Sequence, residues 1–116
     1  MAKEILKKLS KLSNSSYIAI FTMDGFVVYE DGELEVEMDE LIGEISKILG
    51  EADSFFLKRL GDIFEDAVFT MKSGKKILLY KLNDEYCVIS ILNRDSFVSR
   101  LKFYIEKEKS NILSKI

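Results

Sequence analysis

The sequence predicts one α/β (α+β) domain over residues 1–116, with the element order α-β-β-α-β-β-β-α. Three observations lead to this order. Apolar residues recur at helical spacing in three segments, Asp24-Gly25 separates two short apolar runs, and three further apolar runs follow one another through short turns. Hydrophobic residues make up 47% of the 116 residues, which is enough to fill a core without a disulfide or a structural metal.

The helical segments are amphipathic. The first, over 2–11, carries leucine and isoleucine between lysines and ends at the polar run 13–16. The second, over 38–59, is the best defined, because its apolar residues fall within a sector of about 140°. These residues are Met38, Leu41, Ile42, Ile45, Ile48, Leu49, Ala52, Phe55 and Phe56.

The ends of the helices carry the expected signals. Glu35, Glu37, Asp39 and Glu40 cluster where the second helix begins, a position at which the helix dipole favours negative charge, and Gly61 is its expected stop. The last helix is predicted over 94–115, with Asn93 or Asp95 as its N-terminal cap.

The strands are predicted as a hairpin and a meander. The hairpin joins 17–22 to 26–30, and the meander contains 64–72, 75–82 and 85–92. In the last strand Tyr86, Val88 and Leu92 point one way and Cys87, Ile89 and Ile91 the other. A sheet that is apolar on both faces must be covered on both faces, and three helices are available for this.

Charge and cysteine content exclude several classes of protein. The net charge is −3, and residues 31–66 carry 12 acidic and 3 basic side chains, which argues against a nucleic-acid surface there. No apolar run approaches the roughly 20 residues that cross a bilayer, and the charged N-terminal segment lacks the apolar core of a signal peptide. With one cysteine, the chain is expected to be reduced and cytoplasmic.

Signatures of catalysis are missing, so the protein is not expected to be an enzyme or to need a cofactor or a metal. The sequence has no histidine, no GxxxxGK[ST] phosphate loop and no GxGxxG fingerprint. Cys87 lies between apolar residues of a strand and is interpreted as a buried, inert thiol.

The order of the elements and the turns that separate them resemble the roadblock/LC7 family over roughly residues 3–108. A short first helix precedes the hairpin Ser16–Tyr29 with its central Asp24-Gly25, a long helix separates the hairpin from the meander, and Asn93-Arg94-Asp95 leads into the last helix. The chain departs from the family at Ser13-Asn14-Ser15-Ser16, where members often have Pro-Gly or Gly-Val.

The resemblance implies a five-stranded antiparallel sheet with helices on both faces, a profilin-like sandwich. The long helix is expected on one face and the terminal helices on the other. The resemblance also implies a homodimer, or a heterodimer with a sister roadblock chain, in which the third strand and the long helix meet their two-fold mates. The implied role is that of a scaffold or regulator of a small Ras-like GTPase.

Two candidate binding sites follow. The third strand is unusually apolar for a sheet edge, which predicts a dimer interface at Phe64, Val68, Phe69 and Met71. Small residues form a stripe opposite the apolar side of the long helix and predict a close contact there with a mate helix or a partner protein; they are Gly43, Ser46, Gly50 and Ser54.

Two alternative functions remain open at this point. One is a small-molecule sensing domain of the PAS or profilin-like type, which would need a cavity inside the monomer. The other is a dimeric adaptor that links two proteins without any GTPase partner. Neither alternative involves nucleic acid or insertion into a membrane.

Overall fold

The computed structural model describes residues 2–32 and 36–116. The element order predicted from the sequence is confirmed. The helices are α1 (Ala2–Ser13), α2 (Met38–Leu60) and α3 (Val98–Ser114). The strands are β1 (Ser15–Thr22), β2 (Val27–Gly32), β3 (Asp66–Thr70), β4 (Lys76–Lys81) and β5 (Tyr86–Leu92).

The five strands form one antiparallel sheet in the order β2-β1-β5-β4-β3. The hairpin β1–β2 and the meander β3–β4–β5 join where β1 pairs with β5, and Ala19 lies opposite Ile89 near the middle of that pairing. Because β1, β5 and β4 have neighbours on both sides, β2 and β3 are the two edges of the sheet.

The helices cover both faces of the sheet. α1 and α3 pack on one face against Ile18, Ile20 and other apolar residues of the sheet. α2 packs on the opposite face, against Phe21 and Leu79 among others. The alternation predicted for β5 is confirmed, because its even-numbered apolar residues lie in the first cluster and its odd-numbered residues in the second.

Two of the predicted backbone breaks are confirmed. Gly25 in the β1–β2 turn has φ +98°, and Gly61, which ends α2, has φ +67°. L-residues with a side chain rarely adopt these conformations, so glycine fixes both the hairpin and the end of the long helix. None of the helices in the described part of the chain is long and apolar enough to cross a membrane.

The structure corrects the start of the last helix. α3 begins at Val98 and its cap residue is Phe97, which makes no side-chain cap hydrogen bond. Asn93 and Ser96 instead donate side-chain hydrogen bonds to the backbone carbonyl of Asn14. This connection ties the end of β5 to the turn between α1 and β1, so the segment before Val98 is held outside the helix.

Smaller differences concern the strands and the acidic start of α2. β3 is shorter than predicted, because only five residues pair with β4. Phe26 lies in the exposed β1–β2 turn rather than in the second strand. Of the four acidic residues predicted to favour the start of α2, Glu35 lies outside the described residues.

Candidate protein-binding surface

The edge strand β3 exposes apolar side chains on both sides of the sheet. Val68 lies opposite Leu78 and therefore points to the α1/α3 face, whereas Phe69 lies opposite Ile77 and points to the α2 face. Phe69 is 50% exposed, and Val68 and Met71 are exposed to a similar degree. Phe64, by contrast, is half-buried against the core beneath α2.

One side of α2 adds to this exposed surface. Ile48 and Phe55 belong to the apolar sector predicted for this helix, but they are 57% and 58% exposed. They are seven residues apart, which is two helical turns, and so lie on one side of the helix. The apolar sector of α2 is wider than the sheet beneath it can cover, and its margin next to β3 remains open.

The margin of α2 and the edge strand meet around a shared cavity. This cavity has a volume of about 380 Å³ and is lined by Ile48, Leu49, Ala52, Phe56, Phe64, Asp66, Ala67 and Phe69. We call the exposed and half-buried apolar part of this region the apolar edge surface, defined by Ile48, Phe55, Phe64 and Phe69. The consecutive elements α2 and β3 thus form one continuous apolar surface at an unpaired strand.

A buried ion pair lies below this surface. The Lys81 ammonium on β4 is 2.7 Å and 2.5 Å from the two carboxylate oxygens of Asp53 on α2, and it lies 3.9 Å from the centre of the Phe64 ring. The Lys81 amide also donates to the Glu65 carbonyl at 3.0 Å. Lys81 therefore connects α2, β4 and the segment that leads into β3, and it fixes the position of Phe64.

This pair was not predicted, although the sequence contains a pattern that indicates it. Ile77, Leu79 and Lys81 alternate along β4, so Lys81 takes a position that faces the core below α2. Asp53 takes a position on the side of α2 between Leu49 and Phe56. Opposite charges at two core-facing positions of elements that pack together indicate a buried ion pair.

The stripe of small residues on α2 does not face one way, which corrects the prediction. Ser46 is only 6% exposed, and its hydroxyl donates to the Gly43 carbonyl at 2.9 Å. A Cβ added to Gly25 would lie 2.8 Å from the Ser46 hydroxyl oxygen and 3.3 Å from the Gly43 Cα. The β1–β2 turn therefore packs on Gly43 and Ser46 within the same chain.

The other half of the stripe remains accessible. Gly50 and Ser54 are exposed, and a Cβ added to Gly50 would meet no atom of the described residues within 4 Å. Within the described part of the chain, no contact thus accounts for a glycine in the middle of this helix. A partner contact at Gly50 and Ser54 stays a prediction.

Two titratable side chains of the core, Cys87 and Tyr17, have raised pKa values. Burial raises the pKa of the Cys87 thiol to about 12, which keeps it protonated and unreactive near neutral pH. Burial, with the nearby Glu30 carboxylate as a second cause, also raises the pKa of Tyr17, whose hydroxyl donates to Glu30. Among the described residues, no three His, Cys, Asp or Glu side chains are grouped so that they could hold a metal ion.

Comparison with solved structures identifies the fold family. No protein-family model and no curated protein matches the sequence. MglB of Myxococcus xanthus superimposes with a TM-score of 0.84 at 13% identity, over 98% of this chain and 92% of that chain. A roadblock/LC7 domain from Streptomyces avermitilis gives 0.83 at 13% identity, over 97% and 95%.

Profilins are similar to a lesser degree. Profilin IB of Acanthamoeba castellanii has a TM-score of 0.66 at 12% identity, over 99% of this chain and 98% of that chain. The higher scores of the roadblock/LC7 structures cover nearly the whole chain, so the resemblance found in the sequence is confirmed at the level of the fold. The chain has the roadblock/LC7 fold.

Proposed function

We propose that this protein is a dimeric protein-binding module that scaffolds or regulates a small Ras-like GTPase. The apolar edge surface next to the unpaired strand β3 is the observation that carries the proposal. The roadblock/LC7 fold supports it, because the resemblance to that family implies dimers and a GTPase partner. The module itself is proposed to act in the cytoplasm, by binding and without a catalytic residue or a cofactor.

The dimer is proposed to form through β3. An edge strand offers unpaired backbone N–H and C=O groups, and exposed apolar side chains beside such an edge favour pairing with another chain. Antiparallel pairing of β3 with its two-fold mate would join two sheets of five strands into one sheet of ten. The same symmetry would bring together the open margins of the two α2 helices, where Ile48 and Phe55 lie.

The GTPase is proposed to contact the outer side of the paired α2 helices. Gly50 and Ser54 are exposed there, and small residues allow the backbone of a partner to approach closely. A module without catalytic groups can still regulate a GTPase. If it binds one nucleotide state more tightly, it shifts the population toward that state by its differential affinity.

Sedimentation equilibrium of the wild type and a Phe69→Lys variant tests the dimer. We expect a species of twice the 13.4 kDa chain mass for the wild type and a monomer for the variant, because a lysine would be buried in the apolar contact between the two β3 edges and the α2 helices beside them. Phe26→Lys is the matched control, since Phe26 is 69% exposed in the β1–β2 turn and lies far from β3. A monomeric wild type, or a Phe69→Lys variant that remains dimeric, would contradict the proposed interface.

Capture of small Ras-like GTPases tests the partner. The immobilised dimer would be incubated with GTPases loaded with GDP or with a non-hydrolysable GTP analogue, and the retained fraction measured. We expect retention that depends on the nucleotide and decreases in a Gly50→Leu variant. A confirmed dimer that retains no GTPase in either state would leave the adaptor function as the better interpretation.

A further inference from the structure

Basic side chains gather where the β3–β4 turn meets the connection between β5 and α3. Lys75 ends the turn, Lys76 begins β4, and Arg94 belongs to the connection. A Cβ added to Gly74 would lie 2.8 Å from the Arg94 Cγ, so the aliphatic part of the arginine rests on the turn. The Lys76 ammonium donates to the Arg94 carbonyl at 3.3 Å. These contacts bring the two segments together at one end of the sheet.

The cations of this basic cluster have no carboxylate partner within the described part of the chain. The residues that form no ion pair there are Lys72, Lys75, Lys76 and Arg94. The two segments, 71–76 and 93–97, carry four basic side chains and one acidic side chain, a balance of +3 in a chain with a net charge of −3. The cluster is therefore a local basic surface on an acidic protein, and it is available to an external anion.

A cavity of about 530 Å³ adjoins the basic cluster. Lys76, Arg94 and Phe97 are among the residues that line it. Phe97 is 68% exposed, so an apolar ring lies beside the two cations. Arginine and aromatic side chains are the residues most enriched where proteins bind one another. We call this site the basic cavity, defined by Lys76, Arg94 and Phe97.

Phe97 occupies a position that its own helix does not favour. It is the N-cap residue of α3 and makes no side-chain cap hydrogen bond. Serine, threonine, aspartate and asparagine are favoured there, because their side chains accept hydrogen bonds from the free N–H groups of the first turn. The exposure of the ring shows that burial in the core does not compensate for the lost cap. A residue that breaks a local rule without such a gain indicates a binding function.

Hydrogen bonds hold the connection between β5 and α3 in a fixed position. The Asn93 side chain donates to the Asn14 carbonyl at 3.0 Å, and the Ser96 hydroxyl donates to the same carbonyl at 2.9 Å. The Ser96 amide also donates to the Asn93 carbonyl at 3.0 Å. Arg94 and Phe97 are thus carried by an ordered backbone, which lowers the entropy cost of binding.

We propose that the basic cavity binds a short acidic segment of a partner protein, with one apolar side chain against Phe97 and flanking carboxylates at Arg94 and Lys76. The charge of the cavity sets the sign of the flanks, and the exposed ring sets the apolar centre. The planar guanidinium of arginine matches a carboxylate through paired hydrogen bonds.

The shape of the site favours a peptide over a larger anionic surface. A concave site of this volume accepts a few side chains, whereas a membrane or a nucleic-acid duplex needs a broad basic face. The basic cavity also lies within one chain. One segment therefore binds per chain, and the site depends neither on the proposed dimer nor on a GTPase.

Fluorescence anisotropy with labelled peptides tests this site. The probes are short peptides with a central leucine or phenylalanine between glutamates, and the control peptides have glutamine in place of glutamate. We expect one acidic peptide per chain, weaker binding of the glutamine peptides, and an affinity that decreases as salt screens the paired charges. Arg94→Gln and Phe97→Ser should each weaken binding by about tenfold or more, because arginine and aromatic residues dominate the affinity of such contacts.

Two variants separate binding from folding. Phe97→Ser introduces a favoured N-cap residue, so urea denaturation should show a stability equal to or above that of the wild type although the peptide affinity decreases. Arg59→Gln makes the same substitution as Arg94→Gln on α2, which packs on the opposite face of the sheet, and it should leave the affinity unchanged.

Three outcomes would overturn the site: a wild type that binds none of the acidic peptides, equal binding of the glutamine peptides, or unchanged affinity in Arg94→Gln and Phe97→Ser. Phosphatidylserine vesicles and a DNA duplex are further probes. Binding of either one in place of the peptides would reject the acidic segment and assign the basic cluster to that surface. Sedimentation equilibrium and GTPase capture are separate measurements, so failure of the dimer or of the GTPase partner remains distinguishable from failure of this site.

Discussion

At the scale of single residues, the buried pair Lys81–Asp53 has a large expected effect on stability. Lys81 is 9% exposed and Asp53 25%, so neither charge is well solvated when the other is removed. Breaking such a pair costs about 3–5 kcal/mol, whereas replacing both partners by apolar residues is often neutral. The pair also holds Phe64 at the apolar edge surface, which connects stability to the shape of that surface.

Asp53→Asn should lower the free energy of unfolding by about 3 kcal/mol, because it leaves the Lys81 ammonium buried without a counter-charge. Urea denaturation measures this, and an Asp53→Leu/Lys81→Met double variant should recover most of the loss. Glu44→Gln is the matched control. Its partner Lys47 is 3.6 Å away on the exposed face of α2, and loss of such a pair changes stability by less than about 1 kcal/mol. Equal effects at both sites would contradict the importance of burial.

Cys87 should make stability decrease in alkali. Its pKa is raised to about 12 in the folded chain, so the thiol ionises first in the unfolded chain, where its ordinary pKa is about 8.5. Its contribution is complete below about pH 8.5 and is lost as the pH rises toward 12. Urea denaturation between pH 8 and 11 should therefore show a shallower decrease for Cys87→Ala than for the wild type, and parallel curves would exclude a role of this thiol.

At the scale of elements, α2 has three different sides. One side packs on the sheet, a second packs on the β1–β2 turn through Gly43 and Ser46, and a third leaves Ile48 and Phe55 open beside β3. Gly50 lies outside all of these contacts within the chain. Glycine in a helix is about 1 kcal/mol less favourable than alanine, so its presence here needs a reason other than internal packing.

Gly50→Ala should raise the free energy of unfolding by about 1 kcal/mol, since the added methyl group meets open space. It should at the same time weaken capture of a GTPase if a partner backbone approaches this position. Thermal denaturation and the capture experiment measure the two effects separately. Gly25→Ala is the opposite case and should destabilise, because its φ is +98° and the new Cβ would lie 2.8 Å from Ser46. A Gly50→Ala variant with unchanged capture would leave Gly50 without a role in binding.

At the scale of the whole molecule, the arrangement of layers determines what the surface offers. One sheet separates two apolar clusters, and its hairpin edge β2 carries Glu30 and Asp31 while its other edge β3 carries Val68 and Phe69. The two edges therefore differ in character. Charged residues discourage pairing at a strand edge, so β3 is the edge suited to a second chain.

The midpoint of thermal unfolding should rise with protein concentration. If folding and dimer formation are coupled, mass action stabilises the folded dimer as the concentration of chains increases. Scanning calorimetry from about 5 to 500 μM should show an increase of several degrees for the wild type. The Phe69→Lys variant should show a midpoint that does not depend on concentration, and a constant midpoint for both proteins would argue against a coupled dimer.

The elements, their order and the two-sided character of the sheet follow from local patterns in the sequence. These features depend on residues close together in the chain, such as the alternation in Tyr86–Leu92 and the glycine at position 25. The direction in which a side chain leaves a helix or a strand follows from the local backbone period. For that reason the resemblance to roadblock/LC7 domains was already visible in the order of the elements.

Which apolar residues are covered depends on how the elements pack against one another. Ile48 and Phe55 belong to the same apolar sector of α2 as core residues, yet they are 57% and 58% exposed. Ser46 was expected to face outward, yet the β1–β2 turn covers it. Periodicity gives the direction of a side chain around its own element, whereas the position of neighbouring elements depends on packing between segments that are distant in sequence.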